Sequence, residues 1–246
     1  MTAGHFSVIM VRGDEMADTV QMKIIAKLRS DFPTKFGIPR QSGIVDDLKS
    51  RIVFEPEYRD ENALRGLDGF SHLWIIWQFS EAVRQDWSPT VRPPRLGGNT
   101  RLGVFATRSP FRPNSIGLSS VRIMKLVRTA DEGTVIWVSG ADLMDGTPIF
   151  DIKPYLPYTD SHPDAAGGFT DRTDWHETQV VFPEKLLELI PEDKRAGLIG
   201  VLRQNPCPTY KTASDRVYGM EFGEFDIGFV LRDGIIQVES VKRRDK

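Results

Sequence analysis

The stretch "GVFATRSPFRPNSIGLSSVRI", residues 103 to 123, restricts the fold of this chain more than any other. Both of its ends read as strands with one buried face, yet Arg108, Pro110, Arg112, Pro113 and Asn114 all fall between them. An ordinary strand interior does not tolerate two such prolines. Proline at 110 and 113 fixes φ on both sides of Phe111-Arg112, and Pro113 holds Arg112 extended. The chain must turn a rigid corner here. Two readings stand: a preorganised corner that presents Arg108, Arg112 and Asn114 to a ligand with little further loss of entropy, or a barrel corner whose arginines bond to backbone carbonyls.

Strand-like segments surround this corner. "MKIIAKLRS" (22 to 30) predicts a strand leading into "DFPTKFGIPRQSG", where proline and glycine forbid regular structure. "RIVFEP" predicts a short strand and "EYRDENALRGLDG" a helical turn. "GFSHLWIIWQFS" predicts a central strand buried on both faces. Beyond the loop "SPTVRPPRLGGNTR", strands are expected at 101 to 107, 115 to 128 and 133 to 140, the last two joined by a hairpin at "TADEG". A composition shift at 160 to 175 marks a linker. After it come two short helices with proline near each start, then the strands "RVYGMEF", "FDIGFVL" and "GIIQVES". The expected organisation is an extension over residues 1 to 21, a mostly β domain over 22 to 160 and a small α+β domain over 175 to 246.

Charge is distributed unevenly. From Trp87 to Ala130 stand eight basic residues (Arg92, Arg95, Arg101, Arg108, Arg112, Arg122, Lys125, Arg128) and no acid, so this span is +8 in a chain of net charge -2. A local polyanionic or phosphate-bearing partner suits that asymmetry, and so does pairing with acids elsewhere in the fold. The single cysteine, Cys207, excludes an intrachain disulfide and a cysteine-built metal site, and fits a reducing cytoplasmic compartment. "LWIIWQF" is too short to cross a membrane. The four histidines show no metal-ligand spacing, so no metal is expected.

Several chemistries lack their motif. No G-x-G-x-x-G follows a strand and opens a helix, no Walker A sequence occurs, and there is no G-x-S-x-G elbow. What remains is "DGTPIFDIKPY". Asp145-Gly146 reads as a tight turn, and Asp151, Lys153 and Tyr155 alternate after it, so an extended backbone places acid, base and phenol on one face.

At these residues the chain resembles a known family. "GIPRQSG", "LRGLDGFSHLWI", "TVRPPRLGGNTRLGVFATRSPFRPNSIGLS" and "DLMDGTPIFDIKPYLPY" are similar, in this order, to the TrmO family, also called TsaA-like or YaeB. The likeness runs from Met22 to the C-terminus and weakens after residue 160. It implies a mainly β fold: a β-barrel-like, non-Rossmann domain that binds S-adenosyl-L-methionine, followed by a small α+β domain. The implied activity is methylation of N6 of N6-threonylcarbamoyladenosine, next to the anticodon of threonine tRNA, by a homodimer. The donor pocket carried over by the resemblance comprises Pro39, Arg40 and Gln41, then Arg108 and Leu118, and the turn Leu143, Met144, Asp145, Gly146 and Thr147. Phe79, Ser80 and Glu81 complete it, with Ser80-Glu81 where bacterial relatives often carry His-Gln. For the acceptor, Asp151 or a backbone carbonyl near Asp145 is expected to take the N6 proton. Arg112, Asn114, Lys153 and Tyr155 are expected to hold the carboxylate of the modified base or the phosphates of the anticodon stem-loop. Tyr210 and Lys211 have two readings: stacking on a base and pairing with a phosphate, or a core tyrosine and a solvated lysine. Methyl transfer to another acceptor, and a non-catalytic module that binds RNA or the methyl donor, remain as alternatives.

Overall fold

A computed structural model describes residues 19–84, 86–93, 96, 100–172, 176–207 and 216–244. Six strands close into a barrel: β1 (Ala26–Arg29), β2 (Lys49–Phe54), β3 (His72–Gln78), β6 (Ile116–Thr129), β7 (Gly133–Ser139) and β8 (Pro148–Pro154). Their order around the barrel is β1-β2-β7-β6-β3-β8, and every neighbouring pair is antiparallel. Closure leaves no free sheet edge. Period-2 alternation sends Ala26, Leu28, Ile52, Leu73, Ile75, Trp77, Val121, Ile136, Val138 and Ile149 into one core.

Two strand expectations need correction. The segment "LWIIWQF" is buried on one face only: Leu73, Ile75 and Trp77 point inward, while Trp74 and Ile76 are half-buried on the outer surface. A closed barrel has a single interior, so the outer residues are covered only by what lies over them. The strand expected at 101 to 107 shrinks to β5 (Leu102–Gly103), paired with β4 (Thr90–Val91), and then tightens into a turn at Val104–Ala106. Pro89 stands at the end of that ladder and has no N–H to continue it; its carbonyl accepts from Val104 N instead.

Inside the barrel, Gly117 lies opposite Trp77, and a Cβ there would sit 2.2 Å from the indole. Glycine is needed for that approach. Gly117→Ala should therefore cost about 1–3 kcal/mol through overpacking, read as a lowered thermal midpoint. An unchanged midpoint would show that the indole moves freely.

The C-terminal part forms a second sheet, ordered β10 (Tyr218–Phe222), β11 (Phe225–Arg232), β12 (Ile235–Arg243) and β9 (Gln179–Val181), with β9 parallel to β12. The short helices α1 (Pro157–Asp160) and α2 (Glu184–Leu187) precede the 12-residue helix α3 (Glu192–Arg203), which buries Leu198, Val201 and Leu202 against this sheet. Pro191 occupies the helix N-cap, and Glu192 and Asp193 favour its N-terminal dipole. The strand β9 has only three residues in a polar surrounding, and no alternation announces it.

One feature crosses the boundary that composition suggests. The loop between β1 and β2, which carries Pro39, Arg40 and Gln41, sends Phe32, Val45 and Leu48 into the core of the C-terminal sheet, with Phe36, Ile38 and Ile44 packed beside them. Phe32 meets Phe222 edge-on at 5.6 Å, and Phe36 stacks on Phe229 at 6.5 Å. Asp31 binds Lys194 of α3, and its carbonyl accepts from Gly223 N at 2.7 Å.

Candidate active site

Three stretches far apart in sequence are tied together at one mouth of the barrel. The first is the β1–β2 loop, where the side-chain carbonyl of Gln41 accepts a hydrogen bond from Arg108 Nη1 of the proline corner. The second is the turn after β7, joined to the same loop by Gly43 N donating to Gly140 O at 2.8 Å and by Asp145 N donating to Phe32 O at 2.8 Å. The third is β6, where Ser119 Oγ donates to Asp142 Oδ1 at 2.6 Å and accepts from the Trp77 indole N–H at 3.0 Å. Prolines stiffen the corner, and Ser109 N and Phe111 N donate inside it to Thr107 Oγ1 and Ser109 Oγ.

Asp142 is a site residue that sequence reading missed. Burial holds its carboxyl above the ordinary carboxylate value, while the Ser119 hydroxyl, the Ser42 N–H and the Arg108 charge pull the other way. An acid among the small and apolar residues of "VSGADLM" is the signal that marks it.

The other expected donor residues fall into distinct roles. Asp145 spends its side chain on the protein: Oδ1 accepts from Ser30 N at 3.0 Å, and Oδ2 lies 3.7 Å from Arg29 Nη1. Leu143 is buried with its carbonyl taken by Ser30 Oγ, and the Thr147 hydroxyl donates to Met144 O at 2.7 Å. Gly146, at φ 75°, opens on space, with no atom within 4 Å of where a Cβ would stand. Pro39 is buried and Arg40 exposed. Phe79 packs on Trp77 at 4.1 Å, and Glu81 reaches Lys35 at 3.6 Å, which ties the Ser80-Glu81 segment to the β1–β2 loop. Leu118 is exposed on the outer face, since its neighbour Ser119 points in.

Asp151, Lys153 and Tyr155 do share a face, and it is the outer one. Lys153 Nζ lies 3.0 Å from Asp151 Oδ2, and Tyr155 packs on Trp74 at 5.7 Å. Leu118 and Asp151 both pair with Ile76, so they flank it at about 10 Å from each other across the outer surface. Arg112 Nη1 donates to Thr107 O at 3.2 Å, one arginine that bonds a backbone carbonyl of its own corner. Asn114 keeps an exposed side chain while its carbonyl accepts from Ile116 N. Tyr210 and Lys211 lie outside the described residues. Cys207 is buried, with its thiol pushed up to about 11, so it packs rather than reacts. Among the described residues no group of three or more His, Cys, Asp or Glu could hold a metal, and no helix is long and apolar enough to cross a membrane.

Guanidinium and amide groups at Arg108 and Gln41, the half-buried carboxyl of Asp142 behind them and a glycine turn open to space form one polar cluster. Comparison with known proteins identifies the family. Residues 27–161 match the model of the tRNA-methyltransferase O N-terminal domain, and residues 177–244 match the TrmO C-terminal domain. The tRNA (adenine(37)-N6)-methyltransferase of Escherichia coli is 38% identical over 232 residues, covering 91% of this chain and 98% of that protein. The enzyme of the same name from Eikenella corrodens is 42% identical, covering 70% of this chain and 97% of that protein. The crystal structure of TrmO from Pseudomonas aeruginosa superposes with a TM-score of 0.72 at 31% identity, over 92% of this chain and 99% of that one. Fold and matches together define a class, the tRNA methyltransferases built on a closed β-barrel instead of a Rossmann sheet. Within that class the chain belongs to the TrmO family.

Proposed function

We propose that this protein transfers a methyl group from S-adenosyl-L-methionine to N6 of adenine 37 in tRNA, and that the adenine is N6-threonylcarbamoyladenosine of threonine tRNA. The Arg108–Gln41 hydrogen bond is the observation that supports the reading, because it joins two motif segments beside Asp142 of a third. The similar E. coli and Eikenella proteins carry the tRNA (adenine(37)-N6) name, and other relatives are named for dependence on S-adenosylmethionine.

S-adenosyl-L-methionine supplies an electrophilic methyl on a sulfonium and departs as a neutral thioether. The S–CH3 bond breaks, an N6–CH3 bond forms, and the N6 proton must leave. Holding acceptor and donor in line supplies much of the acceleration. Gln41, Arg108 and the Gly146 turn bind and orient the donor in this reading. Asp151 accepts the proton, and Lys153 turns from Asp151 to the carboxylate of the threonyl group with Arg112, Asn114 and Tyr155. A second copy covers the exposed Leu118 face, making a homodimer, and the enzyme works in the cytoplasm.

The decisive experiment is mass spectrometry of tRNA digests after incubation with donor, with and without the threonylcarbamoyl group. A gain of one methyl only on the modified nucleoside is expected. Methylation of unmodified adenine at the same rate would remove the threonylcarbamoyl requirement. Asp151→Asn should lower the single-turnover rate by about 10²–10⁴-fold and flatten its acid limb; an unchanged rate across pH removes Asp151 as the base.

A further inference from the structure

Between β3 and β6 the chain puts large aromatic side chains into solvent. Trp87 is 50% exposed and Phe105 is 70% exposed, in a protein that has ample core to hide them. They are not scattered. Their rings lie 5.8 Å apart and 32° from parallel, held by the β4–β5 pairing, in which Thr90 opposes Gly103 and Arg101 Nη1 donates to Thr90 Oγ1 at 2.9 Å. Nearby in sequence, the Arg84 guanidinium covers the ring of Phe111 at 4.0 Å, and Phe111 is 40% exposed. Phe105 precedes Arg108 by three residues, so the aromatic surface begins within about 10 Å of chain from the donor site.

Charge narrows the partner. Trp87 opens the acid-free +8 span, with Asp86 standing just before it. Among the described residues, Arg84, Arg92, Arg101 and Arg112 form no ion pair, whereas Arg128, at the far end of that span, is bound to Glu61 at 2.9 Å. Guanidinium groups without a carboxylate partner, on the same chain segment as exposed flat apolar faces, match a ligand that offers phosphates along its length and π-faces between them. Single-stranded nucleic acid has that chemistry, and every base can stack whatever its sequence. A duplex hides its bases and offers only phosphates.

We infer that Trp87 and Phe105 form a stacking surface for unpaired nucleotides of the substrate RNA loop on either side of the target base. The inference rests on the tRNA reading above and adds a surface that the family motifs do not assign.

The full-length protein is titrated with an end-labelled anticodon stem-loop, with an unstructured oligouridylate of equal length and with a fully paired RNA duplex. The double variant Trp87→Ala/Phe105→Ala should bind both single-stranded probes about 10- to 100-fold more weakly, with S-adenosylmethionine affinity within twofold of wild type. Trp87→Phe should restore most of the loss, because a ring face remains. Wild-type affinity of the double variant for both probes overturns the surface, as does a wild-type preference for the duplex or binding of neither single strand. A wild-type chain that grips oligouridylate through Trp87 and methylates no tRNA keeps the surface and loses only the proposed substrate.

Discussion

A chain ended at residue 172 is expected to lose S-adenosylmethionine binding altogether, although the deletion removes none of the residues assigned to the donor site. The reason lies in the β1–β2 loop. Phe32, Val45 and Leu48 are buried in the C-terminal core. Exposing them forfeits about 1.5–3 kcal/mol each, and a domain's whole stability is only about 5–15 kcal/mol. Without that anchorage Gln41 has no fixed position from which to accept Arg108. Gly37→Ala makes the same point with the domain intact. Gly37 sits at φ 94° with the Met220 sulfur 2.3 Å from any Cβ, so alanine is both strained and obstructed. It should weaken donor binding about tenfold or more while circular dichroism shows the barrel retained. Full donor affinity in both variants would show that the barrel braces the loop alone. Calorimetric titration of each variant reads the result.

Asp142→Asn is expected to separate affinity from stability. The folded carboxyl is held above its ordinary value of 3.8, chiefly by burial. Between that value and the raised one the folded state binds the proton more tightly than the unfolded chain. Stability from this group is therefore full in acid and is lost as pH rises through the window. Asparagine removes that loss but replaces a good acceptor for the Ser42 N–H with an amide that cannot serve both partners. The two effects oppose, and the melting temperature at neutral pH should stay within a few degrees of wild type. As pH rises from the ordinary carboxylate value of 3.8 through the raised one, the variant should lose less stability than the parent. Arg108 meanwhile loses an attracting charge beside it, so donor affinity should fall about tenfold. Equal donor affinity in parent and variant would relegate Asp142 to a buried structural acid.

Much of this fold was legible because alternation writes it out residue by residue. The hairpin at "TADEG" and the three closing strands follow local rules, and β6, β7, β10, β11 and β12 stand where those rules put them. The proline corner was legible as rigid, though not as the clamp that Arg108 makes with Gln41. Asp142 stayed hidden because its meaning depends on Ser119, 23 residues away, and on burial that no local pattern expresses. Asp145 read as a ligand contact, and its link to Ser30 just after β1, 115 residues away in sequence, was not legible. The membership of Phe32, Phe36 and Val45 in the other core was also illegible. They lie among prolines and glycines without a period, and only a sheet made nearly 200 residues later gives them a place.

That last distance has a consequence for how the enzyme comes into being. The ribosome delivers the barrel strands first, and their antiparallel neighbours can pair while synthesis continues. The segment holding Gln41 emerges among the earliest fifty residues and then waits, its aromatic anchors uncovered, until β10, β11 and α3 exist to receive them. Folding that depends on contacts so remote is slow, and uncovered apolar surface invites misassembly. If the shortened chain fails to hold the donor, as expected above, the same delay acts as a safeguard: a partly made barrel cannot grip S-adenosylmethionine before the C-terminal sheet has received the loop that carries Gln41.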